Sequence, residues 1–285
     1  MSRRICIIGN SHVAALATAW KDIAAGWPGV TVTFFAARGA QLNSLTARNG
    51  ALRSGNPKVR KSLHWVSGGR DSIVAADYDE FWLVGLRLGV ETIMPLYQAF
   101  WAESHAPDAS RTPLSDPAFS RAAESLLRQS VAAGVHRKLR SLTEAPISLF
   151  PQPNPSSAAI QADEARTEPF RLAVRNNDQA ALWGQYRSAL TRVAGEMKVR
   201  LCEQPDDTRE HELFTAADWG RGATRLKLGF EREHGSQDTI HMNGDYGALL
   251  LKCFLPEASK PLISAATRSG EEEHAGIAVE GAGRT

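Results

Sequence analysis

Arg4-Ile5-Cys6-Ile7-Ile8 is a short, mostly β-branched apolar run that stops at Gly9-Asn10-Ser11-His12, and Val13-Ala14-Ala15-Leu16-Ala17-Thr18-Ala19-Trp20 follows with helical character. An apolar run without alternation suits a strand buried on both faces. Gly26-Trp27-Pro28-Gly29 ends the helix, and Val30-Thr31-Val32-Thr33-Phe34-Phe35 reads as the next strand. The unit is strand, helix, strand in about 30 residues, the size of a β-α-β crossover, which needs parallel strands. That reading sets the fold class as α/β.

Further along, Ala40–Leu52 has some helical character, and Ser54-Gly55-Asn56-Pro57 and Ser67-Gly68-Gly69 are turn signals. Glu80–Leu86 reads as a third strand. Ser120–Leu142 reads as a helix with Leu126, Leu127, Val131 and Val135 on roughly one face. Ile147–Phe150 is a fourth short strand leading into the rigid loop Pro151–Pro155. Asp178–Lys198 is a second clear helix, Val199–Cys202 a fifth strand, and Tyr246–Phe254 a closing helix. The alternation predicts a flavodoxin-like doubly wound parallel sheet, a three-layer α/β/α sandwich over residues 1–256. Beyond it, residues 257–285 are poor in apolar side chains and rich in Ser, Ala, Gly and Glu, the composition of a disordered tail.

The chain has 285 residues, 43% hydrophobic and 22% charged, ordinary for a globular protein and unlike a disordered one. Its 33 basic and 31 acidic residues leave a net charge of +2, which does not announce a nucleic-acid binder. No apolar run approaches the ~18 residues of a membrane span, so membrane insertion is not expected. Arg3 and Arg4 precede the first apolar run, but that run is too short for a secretory core. Cys6, Cys202 and Cys253 are odd in number and without a C-x-x-C pair; Cys6 and Cys202 lie in apolar strand-like stretches and read as buried thiols in a reducing compartment, which gives a cytoplasmic address.

Ligands of an open parallel sheet bind at the carboxyl ends of its strands, where loops and helix N-termini converge. Ser11 lies there, on the loop after the first strand. At a helix start it can serve as a nucleophile whose own amide holds a developing oxyanion, or simply as an N-cap, as can Asn10. Near the other end comes Asp238-Thr239-Ile240-His241-Met242-Asn243-Gly244-Asp245-Tyr246-Gly247. An Asp three residues before a His can accept from one imidazole nitrogen and leave the other free as a general base. The competing reading makes Asn243 or Asp245 a helix cap and leaves Asp238 solvated.

Taken together, Gly9-Asn10-Ser11 and Asp238-x-x-His241 resemble the sequence blocks of the SGNH (GDSL-type) hydrolase superfamily, whose members hydrolyse or transfer acyl esters. The resemblance implies Ser11 as nucleophile, His241 as base and Asp238 as the orienting acid. It matches Gly39 to the glycine whose amide helps form the oxyanion hole, and Asn243, Tyr246 and Gly247 to the residues that follow the histidine. Asn10 stands where the family has Asp. The family's G-x-N-D block is missing: after the third strand the chain reads Gly85-Leu86-Arg87-Leu88-Gly89, so Arg87 occupies the place of the oxyanion-hole Asn. Arg87 could hold an oxyanion or an anionic substrate, or pair with a carboxylate such as Glu91.

Between Asp22 and Asp71 there is no acidic residue, yet Arg38, Arg48, Arg53, Lys58, Arg60, Lys61 and Arg70 all occur. This stretch reads either as an attractor of anionic substrate or as a solvated surface balanced elsewhere in the fold. His12 is expected to point away along the helix. His64, His105, His136, His211 and His234 show no companions at metal-ligand spacing, so neither a metal nor another cofactor is expected. The expected activity is cleavage of a small-molecule or saccharide ester through a covalent acyl-enzyme. The alternatives are acyl transfer to a sugar hydroxyl by the same triad, and a non-catalytic module that binds a saccharide or a protein.

Overall fold

Five parallel strands form the central sheet of the computed structural model: β1 (Arg3–Gly9), β2 (Val30–Ala36), β3 (Glu80–Val84), β4 (Ile147–Phe150) and β5 (Arg200–Leu201). Their spatial order is β2-β1-β3-β4-β5, the flavodoxin-like doubly wound order. The structure describes residues 2–162, 164–227, 230–235 and 238–256. The expected tail, 257–285, lies outside the described residues.

Eight helices accompany the sheet among the described residues: α1 (Val13–Ile23), α2 (Pro57–Val66), α3 (Met94–Ala99), α4 (Asp116–Arg128), α5 (Val131–Arg140), α6 (Glu168–Arg175), α7 (Gln179–Met197) and α8 (Gly244–Phe254). Two buried clusters explain the absence of alternation in β1. Ile5 and Ile7 pack with α1 and α8 on one side, while Cys6 and Ile8 join the larger cluster under α2, α4, α5 and α7. Every side chain from Ile5 to Ile8 is fully buried. The sandwich therefore has three layers, with helices on both faces.

α1 and α8 touch closely, and a single glycine permits it. A Cβ at Gly247 would sit 2.1 Å from the Ala15 carbonyl oxygen, so no larger residue fits without moving one helix. This contact fixes the loops at the two N-termini, residues 9–12 and 238–243, against each other. Among the described residues, no helix is long and apolar enough to cross a membrane.

Three expectations are corrected. Ala40–Leu52 is a short 3₁₀ turn followed by an antiparallel hairpin, Leu45–Arg48 with Ala51–Ser54. The reason is Asn49-Gly50, with φ of 50° and 72°, the left-handed pair that a tight two-residue hairpin turn requires. Ser120–Leu142 is two helices, because the Ser130 hydroxyl accepts from the Ala133 amide and caps a new one. The third strand stops at Val84, where the backbone turns left-handed.

Candidate active site

β1 ends at Gly9 and delivers Asn10 and Ser11 to the carboxyl edge of the sheet. Asn10 is buried, and its Oδ1 accepts from the His12 amide at 3.2 Å. Asn10 thus supports the turn into α1, and the helix has no side-chain cap at its own N-cap residue, His12. The Ser11 hydroxyl is left for another partner. It lies 2.8 Å from His241 Nε2 across 230 residues of sequence.

His241 is held from its other nitrogen. Nδ1 lies 2.9 Å from Asp238 Oδ2 and 3.1 Å from Oδ1, and Oδ1 also accepts from the amides of Ile240 and His241. Burial works against charge on Asp238, but the His241 ring and these amides outweigh it and hold the carboxyl well below its usual range. With the carboxylate accepting from Nδ1, the lone pair of Nε2 faces Ser11 Oγ. The loop is pinned on both sides: the Ser156 amide donates to the Thr239 carbonyl and the Asn243 amide to the Trp219 carbonyl, each at 2.7 Å.

Two further histidines stand at the site. His234 stacks on His241, with its Nδ1 2.7 Å from Asp238 Oδ2. The expectation that His234 is without companions is therefore corrected; the spacing His234-x-x-x-Asp238-x-x-His241 was the available signal. Ligand atoms of these three residues lie within 4.8 Å of one another and could hold a metal ion. The two rings are nearly parallel, however, so their in-plane lone pairs do not converge on one point, and the arrangement suits hydrogen bonding to Asp238 better. His12 also turns toward the site instead of away from it. Its ring is buried and stacks on the opposite side of the group, 5.3 Å from His241. Burial, and the charge that His241 can carry, lower its pKa to about 3, so it stays neutral.

Ser11, Gly39 and Arg87, expected to hold an oxyanion, line one cavity. The amides of Ser11 and Gly39 donate to no other described residue. Gly39 has φ of +60°, and a Cβ there would lie 4.0 Å from Arg87 Nη2. Arg87 is exposed and belongs to a run of three left-handed residues, Gly85, Leu86 and Arg87, with φ of 71°, 54° and 54°. Such a conformation costs roughly 1–2 kcal/mol per non-glycine residue. Here it is imposed by hydrogen bonds from Gly85 N to Phe150 O, from Ala132 N to Leu86 O and from Thr92 Oγ1 to Arg87 O. The ion pair of Arg87 with Glu91 does not form. Glu91 instead accepts from Gln152 Nε2 at 2.7 Å, and burial raises its pKa to about 7.

Ser11 and His241 sit between two cavities. One, of about 720 Å³, contains Gly39, Arg87, Glu91 and Gln152 and is walled by Met94, Pro95, Leu126, Val131, Pro169 and Phe170. The other, of about 580 Å³, opens beside His234, Asp238 and His241 and contains Arg38, Arg166 and Arg225. Of the seven basic residues noted between Asp22 and Asp71, Arg38 lines a cavity, whereas Arg70 pairs with Asp77. Asn243, matched to a substrate-binding position by the resemblance, is engaged within the fold and lines neither cavity among the described lining residues. Its Oδ1 caps α8 by accepting from the Tyr246 amide, and its Nδ2 donates to the carbonyls of Asp218 and Arg221, so the side chain is fully engaged.

No family model and no curated protein matches the sequence. Solved structures similar to this chain include two of low sequence identity. A DUF4886 family protein from Bacteroides uniformis is 14% identical with a TM-score of 0.41, over 90% of this chain and 83% of that one. The periplasmic domain of a Salmonella ser. Paratyphi A lipopolysaccharide acetyltransferase is 10% identical with a TM-score of 0.44, over 91% of this chain and 85% of that one. A periplasmic domain is thus among the similar structures, and the cytoplasmic address read from the cysteines is not upheld: three cysteines without a C-x-x-C pair fix no compartment.

Proposed function

We propose that this protein cleaves carboxylic esters through a covalent acyl-enzyme on Ser11. The observation that carries the reading is the continuous chain from Ser11 Oγ to His241 Nε2 at 2.8 Å, and from His241 Nδ1 to Asp238 at 2.9 Å. In the first half-reaction Ser11 Oγ attacks the ester carbonyl carbon while His241 Nε2 takes the hydroxyl proton. The carbonyl π electrons move onto oxygen, where the amides of Ser11 and Gly39 and the Arg87 guanidinium lie within reach of the same cavity. When the tetrahedral intermediate collapses, the bond to the leaving oxygen breaks and His241 returns the proton to that oxygen. In the second half-reaction His241 activates water, which attacks the acyl-serine and releases the acid. Asp238 keeps the imidazole oriented and stabilises its protonated form.

The apolar wall of the larger cavity suits an acyl chain, because burial of apolar area is favourable at roughly 25 cal/mol per Å². The decisive experiment is labelling with a fluorophosphonate, which reacts with an activated serine, followed by identification of the modified residue. A stoichiometric adduct on Ser11 that is lost in Ser11→Ala and in His241→Ala is the expected result. Absence of labelling together with unaltered binding of saccharides in Ser11→Ala would favour a binding module. Adding a sugar acceptor to the ester assay tells acid release from acyl transfer.

A further inference from the structure

We propose that the smaller cavity is an anion subsite that receives a phosphate or carboxylate on the leaving-group half of the ester. This rests on the Ser11 acyl-enzyme reading and adds the substrate class. Three arginines from three separate parts of the chain line one wall system: Arg38 after β2, Arg166 before α6 and Arg225 on the strand Thr224–Lys227. Arg38 makes no side-chain hydrogen bond or ion pair with another described residue. Among the described residues Arg225 is approached only at Nε, by His234 Nδ1 at 3.1 Å, and its two terminal nitrogens have no described partner. Arg166 pairs with Glu164, which does not line the cavity. Asp238 is the one carboxylate among the described lining residues, and its oxygens are engaged by two imidazoles and two amides. With Arg166 paired to Glu164, the lobe keeps Arg38 and Arg225 against the single carboxylate of Asp238 and is net cationic among its described lining residues.

Its position decides which half of the ester it meets. His241 must return its proton to the leaving oxygen, so the leaving group departs alongside the imidazole. Ser11, His241 and Arg166 border both cavities, but Arg38, Arg225, His234 and Asp238 line the smaller one alone, whereas Gly39 and Arg87 line the larger one alone. The acyl carbon and its oxyanion thus face the larger cavity, and the alcohol or thiol half faces Arg38 and Arg225. Arginine forks match phosphate and carboxylate oxygens by paired hydrogen bonds. No co-reactant is required beyond water: Ser11 gains the acyl group, the leaving oxygen or sulfur takes the proton from His241, and the anionic product departs.

The test compares acetate esters of phenol, 4-hydroxybenzoate and 4-hydroxyphenyl phosphate with wild type, Arg38→Gln and Arg225→Gln. Calorimetric titration with the free phenols provides a readout independent of turnover. The wild type is expected to prefer an anionic ester by tenfold or more in kcat/KM, with the preference falling as salt rises. Each variant is expected to reduce that preference by at least fivefold and to weaken binding of the anionic phenol. The carboxylate and phosphate arms identify which anion fits. Equal kcat/KM on all three esters, or anionic phenols binding no better than phenol, overturns the subsite while leaving the esterase reading intact. No turnover and no Ser11 labelling, with anion binding that is lost in the variants, overturns the esterase reading and keeps the anion site.

Discussion

The rings of His234 and His241 stack at a centroid separation of 3.8 Å and an interplanar angle of 25°, and both present Nδ1 to the carboxylate of Asp238. A neutral His234 donates from Nδ1 to Asp238 or accepts there from Arg225 Nε, 3.1 Å away, and not both; the 2.7 Å approach to Asp238 favours donation to the carboxylate. Two stacked cations would repel, and burial together with the charge that His241 can carry lowers the His234 pKa. His234 is thus a neutral wall against which His241 can take up the serine proton. Its packing also fixes the carboxylate in the plane that Nδ1 of His241 needs.

Removing that wall has a kinetic signature. His234→Ala is expected to lower kcat by about tenfold to a hundredfold, the loss typical of a catalytic group misplaced by about 1 Å. KM for a neutral ester should change far less, because His234 positions a group and does not touch the acyl cavity. His234→Asn, which restores a polar partner for Asp238, should recover part of kcat. Steady-state kinetics on the three proteins decide it, and an unaltered kcat in His234→Ala would reduce the stack to a packing contact.

Much of this arrangement was legible in the sequence, and the parts that were not share a cause. β1, β3 and β4 stand out because each holds a mainly apolar run buried on both faces, as in Ile5–Ile8 and Phe81–Val84, whereas β2 is buried only from Phe34 on and β5 is the half-buried pair Arg200–Leu201. Ser11, Asp238 and His241 lie together in the structure, and what points to them in the sequence is the pairing of the two blocks, since Asp238-x-x-His241 alone says little and Ser11 alone reads as a cap. The hairpin at Asn49-Gly50 was written in its turn residues and was masked by the helical composition around it. His12 was misjudged because its direction depends on the left-handed turn at Gly85, Leu86 and Arg87, which tertiary hydrogen bonds impose and no local pattern encodes. His234 is harder to read: its spacing to Asp238 and His241 is in the sequence, but it gains meaning only through the contact of His234 Nδ1 with Asp238. Asn243 matched a family position, yet its geometry is that of an N-cap.

Glu91 should leave a mark on the pH dependence of stability. Burial raises its pKa to about 7, from 4.5 for an unburied glutamate. Between these values the unfolded chain has released the proton and the folded one retains it, so the contribution of this group to stability is present in full below pH ~4.5 and is lost as pH rises toward 7. Glu91→Gln removes that dependence and still accepts from Gln152. The Tm of the variant relative to wild type is expected to climb between pH 5 and pH 8. A difference that stays constant across this interval would show that Glu91 ionises normally.

Asn243→Ala separates a capping role from a binding one. The substitution deletes the Oδ1 cap on the Tyr246 amide and the two Nδ2 bonds to the carbonyls of Asp218 and Arg221. Loss of an N-cap alone costs about 1 kcal/mol, which in a domain of this size lowers Tm by about 2–4 °C. The expected result is lower Tm with KM unchanged at a temperature where the variant stays folded. A raised KM with intact Tm would return Asn243 to the substrate.

Arg87 joins strain and chemistry in one residue, so two substitutions divide them. With φ of 54°, its backbone favours glycine, and its guanidinium reaches the vicinity of Gly39 in the same cavity as Ser11. Arg87→Ala keeps the strained backbone and removes the guanidinium; Arg87→Gly removes both the strain and the side chain. If Arg87 stabilises the oxyanion, each variant loses one donor, an effect of about 3 kcal/mol, on the order of a hundredfold in kcat. The two should nevertheless differ in stability, with Arg87→Gly more stable than Arg87→Ala by about 1 kcal/mol. Arg87→Lys should restore charge without the forked geometry and recover only part of kcat. An Arg87→Gly protein with raised Tm and unreduced kcat would take Arg87 out of the oxyanion hole and leave the amides of Ser11 and Gly39 to hold the intermediate without it.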